Sequence, residues 1–123
     1  MKGIFVNSSE YPYAERIVSG FKTIETRSKN MLRACVGDRV AIVRTGKGIP
    51  VVIGYVTVSG SACSASLTAS DFPGKTYVFP GSKFANNRWF YFLKDAEMLS
   101  VRFPLPADTV RHGRSWCEFE LEV

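Results

Sequence analysis

Gly20-Phe21-Lys22-Thr23-Ile24-Glu25-Thr26-Arg27 sets three charges of mixed sign at close spacing, where a short helix runs into a strand. A helix-to-strand junction needs only a turn residue. Gly20 supplies it, because glycine tolerates the left-handed conformation that ends a helix. Lys22, Glu25 and Arg27 are surplus to that turn and read as parts of a site. Upstream, Lys2–Val6 reads as a first strand. Ser8 and Ser9 offer polar caps, and Pro12 suits a first helical turn, where its missing N–H costs nothing. Ala14, Ile17, Val18 and Phe21 make one apolar stripe of helical period. The helix is about two to three turns long and must be held by packing.

Downstream the period changes to two. Thr23–Arg27 reads as extended, Gly37-Asp38 turns the chain into Arg39–Thr45, and Gly46-Lys47-Gly48-Ile49-Pro50 connects to Val51–Ser59. Gly54, inside that run, marks a bulge or bend of the kind closed barrels need. Trp89–Leu93 and Trp116–Val123 bring the set to about six strands. A second short helix is expected at Leu67–Phe72 or Asp95–Leu99. The expected class is α+β, a closed or nearly closed β-barrel flanked by one or two short helices. Residues 72–88 repeat Phe-Pro-Gly and are the least regular part. A loop that long in a compact domain is more often functional or mobile than idle.

Composition sets bounds. The 123 residues fit one domain spanning 1–123. No apolar run approaches the ~20 residues that cross a bilayer, and residues 1–7 are too short in apolar character for a signal peptide. The expectation is a cytoplasmic protein with no membrane association. Cys35, Cys63 and Cys117 are odd in number and widely spaced, so free and mostly buried thiols are expected rather than a disulfide framework or a zinc site. No metal or cofactor is expected. The net charge of +5 is concentrated in residues 1–50 and 75–114 and reverses at Glu118, Glu120 and Glu122. Such a surplus suits a polyanionic partner, although many proteins of similar charge bind none.

On one strand, Glu25 and Arg27 would be same-face neighbours about 7 Å apart, near enough to pair, with Thr23 beside them. Lys22, Ile24 and Thr26 would share the other face. A carboxylate held by a guanidinium keeps a fixed orientation, which suits accepting bonds from a base or ribose. Lys22 could face a phosphate or a carbonyl. The plainer account is a surface ion pair with a solvated lysine beside it.

The run Tyr13-Ala14, Ile17, Gly20-x-Lys22-Thr23-x-Glu25-x-Arg27, followed by Gly37-Asp38-Arg39-Val40 and Ile53-Gly54-Tyr55-Val56, resembles the ASCH domain family. That family is related to PUA domains, and the likeness is specific over residues 11–58. It implies a PUA-like barrel with a cleft beside the helix, lined by the motif and binding RNA or other nucleic acid. One branch of the family removes the acetyl group from N4-acetylcytidine with a lysine, a threonine and a glutamate. Lys22 matches that lysine, but Glu25 stands where the threonine would be, and the glutamate has no secure counterpart. Another branch cuts RNA, again with a lysine in this region.

Arg111-His112-Gly113-Arg114-Ser115-Trp116 is the second constellation. Trp116 falls on the polar register of the last strand, so it can stack on a base while the arginines hold phosphate. Otherwise Trp116 closes the barrel end and the arginines are solvated. A serine-hydrolase triad of Ser115, His112 and Asp108 lacks a nucleophile elbow. Gly46-Lys47-Gly48 lacks the spacing of a phosphate loop. Trp89-Phe90-Tyr91-Phe92 is expected to be mostly core.

Together these readings place Tyr13, Lys22, Glu25, Arg27, Arg114, Ser115 and Trp116 around a cleft that takes RNA or a nucleotide-like ligand. Lys22 and Arg114 would hold phosphate, Glu25 would accept from a base or ribose, and Trp116 or Tyr13 would stack. Lys22→Ala and Arg27→Ala would then weaken binding without unfolding the protein. If the chain is an enzyme, Lys22 and Glu25 are the catalytic candidates, for hydrolysis of a modified nucleoside or RNA. A protein-interaction module is the third reading.

Overall fold

The computed structural model describes residues 1–121. Among them, seven strands form one mixed sheet. They are β1 (Lys2–Asn7), β2 (Ile24–Arg27), β3 (Arg39–Thr45), β4 (Val51–Cys63), β5 (Trp89–Pro104), β6 (Val110–His112) and β7 (Trp116–Glu118). Their order is β2-β5-β4-β3-β1-β7-β6, so β2 and β6 are the two ends and hydrogen bonds do not close the sheet. β1 runs parallel to β3, and the other pairs are antiparallel. The architecture is a barrel-like α+β fold with two short helices, α1 (Tyr13–Val18) and α2 (Pro73–Thr76). No described helix is long and apolar enough to cross a membrane.

Alternation in β1 and β3 explains why both read as continuous apolar runs. Ile4, Val6, Val40 and Ile42 enter the main core with Ala14, Ile17 and Val18 of α1 and with Ile53, Val56 and Val58 of β4. Phe5, Ala41 and Val43 point the other way into a second core, which Val52, Cys117 and Phe119 complete. A sheet buried on both faces carries apolar residues at successive positions. Ser8 Oγ accepts the Ala14 N–H at 3.0 Å and supports the start of α1. Gly20 takes φ 85° beyond its end.

Several expectations are corrected. Phe21 is not on the buried stripe of α1: the helix stops at Val18, and Phe21 is 57% exposed. Asp95–Leu99 is strand, not helix, because β4 supplies a long-range ladder partner for it. The helical alternative near Leu67–Phe72 is a single 3-10 turn at Ala69–Asp71, followed by α2. The last strand ends at Glu118, and the final two positions of the expected Trp116–Val123 strand lie outside the described residues.

Gly54 lies where the β4–β5 register shifts, as a strand-interior glycine suggests. A Cβ there would overlap the Glu97 carbonyl oxygen and lie 2.8 Å from Val18 Cβ. Gly54→Ala therefore forces β5 or α1 away from β4. It is expected to lower stability by about 3 kcal/mol, measured as a lower urea midpoint.

All three cysteines are free, with Cys35 and Cys117 buried and Cys63 exposed. Burial pushes the Cys35 and Cys117 thiols up to about 11. At neutral pH a thiol-disulfide reagent should modify Cys63 within minutes, and the other two only after denaturation. A titration of reactive thiols, native against denatured, measures this.

Candidate functional site

The open side of the sheet holds a cavity of about 430 Å³. β1 contributes Phe5, Val6 and Asn7, and the β2 string contributes Lys22, Glu25, Thr26 and Arg27. The β6–β7 hairpin contributes Arg111, Gly113 and Arg114. Tyr13 of α1 stands at one side, and Val78, Phe84 and Asn87 come from residues 72–88. The irregular loop thus forms a wall. A small apolar cluster of Ala69, Val78 and Ala85, packed on Tyr13 and Phe84, holds it in place.

Glu25 and Arg27 pair as the period-two reading requires, with Arg27 Nη2 donating to Glu25 Oε2 at 3.0 Å. The same Nη2 donates to the Phe5 carbonyl oxygen at 2.7 Å, so Arg27 spans from β2 to β1. Glu25 Oε1 accepts the Thr26 N–H at 3.1 Å and lies 3.4 Å from Lys22 Nζ. Both carboxylate oxygens are occupied from within the chain.

Lys22 departs from the strand-face expectation because it precedes β2, which begins at Ile24. Its side chain folds back beneath the string and is 1% exposed. Nζ donates to the Ile24 carbonyl at 2.8 Å and to the Thr76 carbonyl, with Glu25 Oε1 as its third neighbour. It also lies 5.3 Å from the centre of the Tyr13 ring. The solvated-lysine account is therefore corrected. A buried ammonium needs a partner for each proton, and Lys22 has three acceptors.

Burial pulls the Lys22 pKa below the ordinary lysine value, Arg27 pulls the same way, and the Glu25 charge opposes them. Burial pushes Glu25 up, but Lys22, Arg27 and the Thr26 N–H outweigh it and leave its carboxyl below the ordinary value. The geometry, with three acceptors around Lys22 Nζ and two basic side chains around the Glu25 carboxylate, suits a Lys22⁺, Glu25⁻, Arg27⁺ set. Thr26 joins it from the other register, since Asn87 Nδ2 donates to Thr26 Oγ1 at 3.3 Å.

The second constellation divides. Arg114 lines the cavity, but Ser115 and Trp116 do not. Ser115 contributes its backbone carbonyl, which accepts the Phe5 N–H at 3.1 Å. Trp116 does not present a free ring to the cleft: His112 stacks on it at 3.9 Å and 13°. The cause is a short strand the sequence reading did not foresee. β6 pairs His112 directly opposite Trp116, and directly facing residues of antiparallel strands meet side by side. Arg111, Phe84 and Asn87 were not singled out individually. The signals were present in the Arg111–Trp116 run and in the length of residues 72–88.

The sign of the pH dependence follows from Glu25. Its folded pKa is depressed, so its contribution is complete above the ordinary value of 4.5 and is lost as pH falls through the lower folded value. Glu25→Gln should cost ~3 kcal/mol at neutral pH by leaving two cations without their counter-charge, and should flatten the acid limb. Thermal midpoints of both proteins across roughly pH 3 to 7, the range of carboxylate titration, check this.

No family model matches the chain, and no curated protein matches it. Solved structures do. A serine-to-alanine form of the ASCH protein from Zymomonas mobilis superposes with a TM-score of 0.61 at 18% identity, over 86% of this chain and 75% of that one. A tyrosine-to-phenylalanine form gives 0.59 at 20%, over 87% and 76%. The unaltered ASCH protein gives 0.57 at 18%, over 87% and 88%. The chain has an ASCH-like fold, and its own Lys22–Glu25–Arg27 string lines the cavity on the open side of the sheet.

Proposed function

We propose that the chain binds RNA or a nucleotide-like ligand in this cavity. The observation that carries the reading is the division of its cations. Lys22 and Arg27 are consumed in the wall, while Arg111 and Arg114 are exposed at the mouth with no ion pair among the described residues. Exposed, unpaired guanidinium groups are suited to phosphate, which they grip bidentately. The volume lies within the ~300–1,000 Å³ of small-molecule sites. Tyr13 and Phe84 offer ring surface for a base, and the Asn87 amide has donor and acceptor capacity beyond its bond to Thr26. In this arrangement Arg114 keeps the phosphate role expected of it. Lys22 and Glu25 pass from ligand contacts to construction of the wall, and Trp116 gives up the stacking role to Tyr13.

The hydrolase reading, for an acylated nucleoside or RNA, would have Lys22 exchange a proton with a bound group. Its three acceptors favour a fixed ammonium, and so favour binding over turnover. The interaction-module reading gains no specific support from the cavity.

Arg111→Ala with Arg114→Ala should weaken binding of single-stranded RNA and reduce the slope of log K against log salt by about two, with an unchanged circular dichroism spectrum. Unaltered affinity and slope would sink the proposal. Turnover of N4-acetylcytidine or RNA, abolished by Lys22→Ala in a folded protein, would replace it with the hydrolase reading. Lys22→Ala and Arg27→Ala are poor probes of affinity alone, since each strips a partner from the buried Glu25.

A further inference from the structure

A row of rings leads out of the cavity along α1 and ends at a cation without a counter-charge. Tyr13, which lines the cavity, contacts Tyr11 at 4.9 Å between ring centres. Tyr11 stacks on Tyr77 at 6.4 Å and 27°. The Arg16 guanidinium then lies between two rings, 5.6 Å from Tyr77 and 5.7 Å from Phe21. Among the described residues Arg16 makes no ion pair, and its side chain donates no hydrogen bond; its Nε is buried without a partner. Two features mark this row as more than incidental packing. Tyr77 holds a left-handed backbone, φ 57° and ψ 27°, at the end of α2, a conformation unfavourable for an aromatic residue. Phe21 is more than half exposed where the helical stripe would have buried it.

We propose that this row is a second binding site, which takes the bases and backbone of a single-stranded RNA segment continuing from the nucleotide held in the cavity. The proposal rests on the binding reading given above and extends its ligand from one nucleotide to a strand. Aromatic faces accept any base, and an arginine held between rings adds positive charge along the backbone path. A duplex could not use the row, because its bases are already stacked on each other. An unpaired guanidinium between rings, on a chain of net charge +5, favours a polyanion over a neutral peptide.

The test compares a nucleoside monophosphate with a mixed-sequence oligoribonucleotide of about six residues, binding to the wild type, Phe21→Ala and Arg16→Gln. Phe21 is exposed, so its truncation leaves both cores intact, and circular dichroism confirms the fold of each variant. The wild type should bind the oligonucleotide more tightly than the monophosphate. Each variant should lose ~10-fold in oligonucleotide affinity and none for the monophosphate. If the wild type gains nothing from length, or the variants bind the oligonucleotide unchanged, the second site is overturned while the cavity reading stands. Equal losses for both ligands would also overturn it, since the residues would then act through the cavity. If the wild type binds neither ligand, both readings fall. An acidic peptide that binds the row, and loses affinity in Phe21→Ala when RNA does not, would overturn the proposal in favour of a protein partner.

Discussion

The Arg27 guanidinium, bonded at once to Glu25 and to the Phe5 carbonyl, joins two strands that share no ladder. β2 is an end strand, and end strands carry unsatisfied backbone groups that a neighbour would normally occupy. A full ladder between β2 and β1 would close the barrel and erase the cavity. No link at all would leave β2 joined to the rest of the sheet only through β5. One long side chain holds the separation while keeping the space open. Hydrogen bonds from a charged group contribute roughly 1.5–3 kcal/mol each, enough to hold a four-residue strand in place.

The same constraint explains why so much charge is buried in so small a string. Arg27 needs a carboxylate to fix its rotamer, and Glu25 supplies it. A buried carboxylate is costly unless fully partnered, and Lys22 with the Thr26 N–H completes its set. Lys22 in turn needs acceptors, and one of them is the Thr76 carbonyl at the end of α2. The chain of requirements therefore runs from β1 through the string to residues 72–88. Val78, Phe84 and Asn87 stand in the cavity wall because Lys22 and the small cluster around Ala69 anchor the loop that carries them.

How much was legible in the sequence follows from what each signal measures. Arg39–Thr45 was read with its observed boundaries because turns flank a run of strong β-formers, and Gly54 was placed at an irregularity because little else puts glycine inside such a run. The Glu25–Arg27 pair followed from the strand period. Lys22 did not, since alternation says nothing about a residue one step outside the strand. The second half of β5 was illegible for a different reason. Lys94-Asp95-Ala96-Glu97 has weak strand propensity, and only pairing with Val51–Thr57, distant in sequence, makes it extended. What faces Trp116 was not legible, because a three-residue strand like β6 leaves no periodic trace, yet it sets His112 against the indole.

The placement of cations also separates two tasks that the sequence could not tell apart. A cation fixed in a low-dielectric wall interacts strongly but is already spent on its neighbours, and what it gives a ligand is shape and a preset field. A cation at the rim is weakly held and well solvated, so it contributes attraction that salt can screen. Lys22 and Arg27 belong to the first kind, and the exposed Arg111 and Arg114 to the second. Discrimination among ligands then has to come from groups that are neither saturated nor freely mobile. In this cavity that description fits Asn87, whose amide is held on one side by Thr26 and otherwise free to read the edge of a ligand of the proposed kind lying against the Tyr13–Phe84 pair.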